Sequence, residues 1–142
     1  MQIKDVLAKK GGSTLIVSAT ASVGDAIRAM AAQSVGGVLV TDAPDCSMGI
    51  FTERDVLGLF AAGETDFERL KVGERMICSV VSAHPDMGVD AALALMTERR
   101  FRHLPVLQGE QLIGIVSIGD LVKARLDETS AEAQSLREYI NS

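Results

Sequence analysis

The sequence predicts an α+β fold of two β-α-β-β-α repeats, packed sheet to sheet with pseudo-two-fold symmetry. Three observations predict it. An apolar helix face, Val23, Ala26, Ile27 and Met30, returns 66 positions later as Val89, Ala92, Leu93 and Met96. Both sets have the i, i+3, i+4, i+7 spacing of one buried face. After each face come two short apolar runs around a polar turn, and each second run ends in one motif, GIFTERD (Gly49–Asp55) or GIVSIGD (Gly114–Asp120).

Each repeat opens on an extended segment, Val17-Ser18-Ala19 in one and Ser82-Ala83-His84 in the other. Its helix follows, with Met30 and Met96 as core residues. Ser22 and Asp25 form a plain capping box at the first of these helices. GGVLV (Gly36–Val40) and HLPVL (His103–Leu107) predict the next strands; TDAPDCS and QGEQ are turns, and MGIF and LIGIV are the strands beyond them. VLGLF and LVKARL predict the closing helices.

Residues 61–78 form a polar connector in which Val72 to Met76 predicts a short helix, and IKDVLAKK at the start resembles that piece. Ala133, Leu136, Tyr139 and Ile140 share one face of a terminal helix, which docks either on its own body or on a second subunit. Along the chain this gives residues 1–77 to the first repeat, with the N-terminal helix and connector. Residues 78–142 make the second repeat with the C-terminal helix. A unit of about half of 142 residues is small for a core of its own, so the repeats are expected to share one.

Apolar residues are 47% of the chain and charged ones 23%, a globular composition; with 4% aromatics and no Trp, the core is aliphatic. A net charge of −5 argues against bulk attraction to nucleic acid or acidic membrane, while leaving room for a local anion patch. Cys46 and Cys78 lack CxxC spacing and read as free thiols in a reducing compartment. The start has no apolar signal region and no run reaches spanning length, so a soluble cytoplasmic protein is expected. Neither a nucleophile–base pair nor metal-ligand spacing is evident, so no enzyme activity and no metal site are expected.

Thr52-x-x-Asp55 and Ser117-x-x-Asp120 admit two readings. Either pair can cap its helix. Equally, a carboxylate can accept from both hydroxyls of a ribose, and a helix N-terminus offers amides to phosphate. Gly49 and Gly114, without side chains, would let a ligand approach the backbone.

The order of apolar helix, HLPV strand, polar turn, GIVSIGD and helix resembles the CBS domain, named after cystathionine β-synthase. The resemblance covers Leu15 to Ala62 and Val80 to Leu126, and the chain looks like a stand-alone bacterial CBS-pair protein, a Bateman module. It implies a regulatory module for signal transduction that binds AMP, ADP, ATP, NAD or S-adenosylmethionine in clefts between the repeats, with AMP foremost. In this family the motif Asp holds the ribose, which maps to Asp55 and Asp120. Thr52, Ser117 and adjacent amides such as that of Ile118 face phosphate. Backbone at Ser18-Ala19 and Ser82-Ala83 reads the adenine edge, and residues at the LPV strand, Arg102, His103 and Pro105, line the phosphate side.

The first repeat departs from this pattern, with Gly36 and Gly37 for Arg102 and His103 and Leu39 for Pro105. Arg54 either reaches a phosphate or faces solvent. Arg99, Arg100, Arg102 and His103 form an anion patch or a solvated surface; His84, before Pro85, reads as loop. The family also implies a homodimer, with Val56/Leu57/Phe60 and Leu121/Val122 near its interface, and an effector protein as target. The rival reading is a dimeric scaffold with vestigial pockets. If the Asp residues serve a ligand, Asp55→Asn and Asp120→Asn should barely change the ligand-free melting temperature.

Overall fold

Helix α1 (Ile3–Lys10) carries Asp5 in its first turn, where the carboxylate accepts from the Gln2 N–H at 2.9 Å, and Lys9 and Lys10 in its last turn. Both placements suit the helix dipole. The computed structural model describes residues 1–10, 15–44, 46, 48–78 and 81–141, so Asp45 and Ser47 of the first predicted turn lie outside the described residues. By contact the chain divides into two units, Ser13–Val80 and Met1–Gly12 with Val81–Ser142.

The unit Ser13–Val80 contains β1 (Ile16–Ser18), α2 (Val23–Gln33), β2 (Gly37–Thr41), β3 (Gly49–Thr52), α3 (Glu53–Ala61), α4 (Val72–Arg75) and β4 (Ile77–Cys78). The four strands lie in sequence order in one sheet, β1 parallel to β2 and the rest antiparallel. The predicted helix face is realised: Val23, Ala26 and Met30 are buried with Val38, Val40, Phe51 and Val72. Ser22 caps α2 as its spacing predicts, its Oγ accepting from the Asp25 N–H at 3.0 Å. The connector completes that end, with Phe67 O taking the Gly24 N–H at 2.9 Å and Leu70 O the Val23 N–H at 2.8 Å. Arg28 then ties α2 to the connector through Asp25 and Glu68, each at 2.6 Å.

The other unit contains α1, α5 (Val89–Arg99), β5 (His103–Gln108), β6 (Gln111–Ser117) and α6 (Ile118–Asn141). β5 and β6 form an antiparallel hairpin in which Gly109 takes a φ of +65° at the tight turn. A parallel bridge from Ala83 to Val106 stands where β1 pairs with β2 in the first repeat. Val89, Ala92 and Met96 are buried with Leu104, Val106, Val116 and Leu121. The duplication extends to backbone detail. Ser34 and Arg100, again 66 apart, both end their helices in the left-handed region, at φ +54° and +59°.

The introductory helices are exchanged relative to chain order. Helix α1 precedes the first repeat yet packs with the second, burying Ile3 and Val6 in its core and bonding Ile3 N–H to Met87 O and Lys4 N–H to Pro85 O, both at 2.9 Å. Helix α4 precedes the second repeat yet docks on the first, through Val72 N–H to Ala21 O and Gly73 N–H to Ala19 O, also 2.9 Å. The linear division 1–77 and 78–142 therefore differs from the units the contacts define. Apolar faces of one or two turns find their partners by shape rather than by proximity in sequence.

The expected free thiols are corrected: Cys46 and Cys78 are joined by a disulfide. The antiparallel pairing of Gly49 with Cys78 carries β4 past the β2–β3 turn, leaving the two Cα atoms 6.0 Å apart, within bonding reach. Pairing across a sheet leaves no trace in local spacing.

Helix α6 joins the predicted closing and tail helices into one of 24 residues, since after Gly119 in its first turn no Gly or Pro interrupts it. Its face toward the unit's core ends at Leu121 and Ala124, and Leu136, Tyr139 and Ile140 are 60%, 80% and 71% exposed. Among the described residues that face is left largely exposed. Among the described residues no helix is long and apolar enough to cross a membrane, and no cluster of three metal-ligating side chains occurs.

Candidate functional site

Both motifs sit where a strand hands over to a helix, and both motif carboxylates turn back on that junction. In the second repeat the Asp120 Oδ2 accepts from the Ser117 N–H at 2.9 Å, and the Asp120 N–H donates to Ser117 Oγ at 3.0 Å. This is the reciprocal capping box its letters predict. In the first, the Asp55 Oδ2 accepts from the Thr52 N–H at 2.9 Å and from the Thr52 hydroxyl at 3.3 Å. The capping reading is therefore realised in both copies. A carboxylate has about four acceptor positions and all these contacts fall on Oδ2, so capping and ligand binding can coexist.

The neighbouring amides are also engaged. Arg102 O accepts from the Ile118 N–H at 2.9 Å, and Gly36 O from the Glu53 N–H at 3.0 Å. The register that creates these bonds pairs His103 with Ser117 and Gly37 with Thr52. It brings Arg102 and His103 to the motif in one copy and two glycines in the other. Arg102 is exposed and His103 half-buried. Pro105 is buried in mid-strand, where its carbonyl accepts from the Ala83 N–H at 2.8 Å.

The segments proposed to read adenine are strongly tied to the sheets. Ala83 O accepts from the Leu107 N–H at 2.9 Å, so both Ala83 backbone groups have partners; Ala19 likewise donates to Thr41 O at 2.8 Å and accepts from Gly73. Ser82 precedes the Ala83 bridge and is exposed. The Ser18 hydroxyl pairs with that of Thr20 at 2.9 Å. Arg54 is exposed on the first turn of α3. His84 is exposed in a loop, its Nδ1 accepting from the Asp86 N–H at 3.1 Å.

Gly49 does not have the open face its place in the motif suggests. A Cβ there would run into the Met76 thioether, which fills that space. The connector's last turn thus covers the first motif's strand. Gly114 is buried in β6 opposite Val106.

Asp120 gains a partner that the sequence reading missed. Lys10, the last residue of α1, donates to Asp120 Oδ2 at 2.9 Å and to Ile115 O at 3.1 Å. Beside this pair lies a cavity of about 370 Å³ lined by Val6, Lys9, Lys10, Asp120, Lys123, Ala124 and Asp127. Among the described residues Asp55 has no such cationic partner. The only signal in the sequence was the Lys9-Lys10 pair, 110 positions from Asp120.

Burial would raise the Asp120 pKa, but the Ser117 amide and the Lys10 ammonium outweigh it and the net shift is downward. A depressed carboxylate pKa contributes stability above its unfolded value, which is lost as pH falls through the folded one. Arg28, hydrogen-bonded to Asp25 and Glu68, lowers both of theirs in the same sense. Melting temperature should therefore decline as pH drops below about 4, and Asp120→Asn should make that decline shallower without abolishing it. Thermal melts at stepped pH measure this; an unaltered acid limb in the variant would refute the assignment.

Two units, each joining a strand pair to a helix through one repeated Ser/Thr-x-x-Asp start, define a duplicated α+β module. The CBS domain family model matches residues 3–62 and 72–127, and the chain belongs to the CBS domain family as a tandem pair. It is 36% identical over 146 residues to the mitochondrial CBS domain-containing protein CBSX3 of Arabidopsis thaliana, covering 97% of this chain and 71% of that protein. A CBS-domain containing protein of Agrobacterium tumefaciens has a similar crystal structure, with TM-score 0.80 and 38% identity over 88% of this chain and 99% of that one. A CBS domain pair crystallised with 5′-methylthioadenosine and S-adenosyl-L-methionine shares the fold, with TM-score 0.76 at 20% identity over 90% and 98% of the two chains.

Proposed function

We propose that this chain is a regulatory sensor of an adenosyl ligand that signals through a change of conformation or partner, and that it is not an enzyme. The observation that carries the reading is the Asp120 junction. A helix-start carboxylate lies on the wall of a cavity of about 370 Å³, a volume suited to a small ligand, with His103 paired to Ser117 beside it. Asp120 would hold the ribose diol, with Ser117, Ile118, Arg102 and His103 on the phosphate side and Ser82-Ala83 toward the base. AMP, ADP, ATP, NAD and S-adenosylmethionine are the candidates, and the adenosyl ligands of the CBS pair of similar fold support the class. A ligand acts as a signal only by binding two states unequally.

For the first repeat, the vestigial reading has an observation of its own. Met76 covers Gly49, and Gly36-Gly37 stand in place of Arg102 and His103, so Asp55, Thr52, Arg54 and Ser18-Ala19 form the weaker site. A homodimer is favoured by the exposure of Leu57 and Phe60, 70% and 72%, on one face of α3. An unidentified effector protein would receive the signal. A cytoplasmic setting rests on the sequence alone, and the Cys46–Cys78 bond argues against a strongly reducing one.

Calorimetric titration with that ligand panel tests the reading. Asp120→Asn should weaken binding at least tenfold, from the roughly 1.5–3 kcal/mol carried by a hydrogen bond to a charged group. It should also cost about 1 kcal/mol of ligand-free stability, because the carboxylate caps α6. This replaces the expectation of an almost unchanged ligand-free melting temperature. Failure of every ligand on the panel to bind wild type would end the sensor reading.

A further inference from the structure

We infer that the cavity beside Asp120 selects a phosphorylated adenosyl ligand over a cationic one, and that Lys9, Lys10 and Lys123 make the selection. The inference rests on the proposed function and names the ligand class of that same site. Its basis is where cations and free donors lie. The usual anion site at a helix start is largely spent here. The Ser117 N–H goes to Asp120, the Ile118 N–H to Arg102 O, and the Asp120 N–H to Ser117 Oγ. A phosphate reaching this end of α6 finds few backbone donors beside the Arg102 and His103 side chains, and each further phosphate charge must be held by side chains of the cavity.

The cavity supplies them from two helices. Lys9 and Lys10 end α1, while Asp120, Lys123 and Asp127 recur along one face of α6 at i, i+3 and i+7. Two carboxylates oppose the three ammonium groups. The Asp120 charge is already met by Lys10 at 2.9 Å, and Asp127 offsets one more cation, so the balance on the wall is positive. An ammonium has three donors, and Lys10 spends two on Asp120 and Ile115 O. It fixes the carboxylate at the ribose end and keeps one donor for a phosphate. Lys9 and Lys123 extend the cationic wall away from Asp120. Such a wall attracts each added phosphate charge and repels the sulfonium of S-adenosylmethionine.

The test is calorimetric titration of the full chain with adenosine, AMP, ADP, ATP and S-adenosylmethionine at low and high salt. Wild type is compared with Lys123→Met and Lys9→Met. Affinity should rise with phosphate charge, with ADP at least tenfold tighter than adenosine and the gap narrowing as salt rises. Each substitution should cut the ADP-to-adenosine ratio roughly tenfold and flatten the salt dependence, the size of one charge-assisted contact in a partly exposed site. Ligand-free melts report whether each variant is folded, and two independent exposed lysines guard against one failing. Adenosine or S-adenosylmethionine binding as tightly as ADP overturns the inference and leaves the sensor reading standing. So does a ratio unmoved in both variants. If no adenosyl ligand binds, both fall together.

Discussion

Reducing the Cys46–Cys78 bond, or replacing Cys46 by Ser, is expected to destabilise the unit Ser13–Val80 by roughly 3 to 4 kcal/mol, the loop-closure value for a link of this span. The bond joins residues 32 positions apart, so its loss returns that loop's freedom to the unfolded chain. The folded side has little to compensate. β4 is two residues long and lies at the sheet edge, paired among the described residues to β3 alone. It follows directly on Met76, which covers Gly49. Loosening β4 frees that cover as well as the strand. Thermal melts with and without reductant should differ by on the order of 10 °C for a chain of this size. Coincident melts, with the thiol state checked by alkylation and mass spectrometry, would show that the link adds nothing to stability.

The second large effect is a single methyl group. In Gly73→Ala the new Cβ would stand 2.8 Å from Ala19 Cβ and 2.9 Å from the Ala19 carbonyl oxygen. The obstacle is partly backbone, which cannot swing aside as a side chain can. Helix α4 must lift, weakening the Gly73-to-Ala19 and Val72-to-Ala21 hydrogen bonds and exposing Val72, which is fully buried. Overpacking of this kind costs about 1–3 kcal/mol, and the lost contacts place the expectation at the upper end. Gly58→Ala, inside α3 with nothing near its Cβ, should have the opposite sign and gain roughly 0.5–1 kcal/mol from helix propensity. Denaturant midpoints of the two variants make the comparison. Equal effects would mean that the Ala19 contact is not what holds Gly73 to its identity.

Much of the fold was legible because its signals are local. The faces Val23/Ala26/Met30 and Val89/Ala92/Met96 are set by helical periodicity, and both are buried as predicted. Ser22, Ser117 and Asp120 cap as three-residue spacing dictates. The site was legible in part. The sequence singled out Asp120, Ser117, Arg102 and His103, and strand register brings them to one junction. It also suggested an open face at Gly49, where the structure has Met76. A glycine in a strand reports that something comes close, and its identity as ligand or side chain is not encoded at that position.

By itself, the sequence determined the duplication, the order of elements, the aliphatic character of the core and the motif at each strand-to-helix junction. Each of these is written in residues within a turn or a strand of one another. Tertiary structure alone decided that α1 serves the second repeat and α4 the first, that Lys10 meets Asp120, that Met76 covers Gly49 and that Cys46 meets Cys78. These pairs are chosen when surfaces with no common periodicity are packed to exclude water. The hydrophobic effect that drives such packing is non-directional, so only the assembled shapes fix which helix end, thioether or thiol arrives beside which partner.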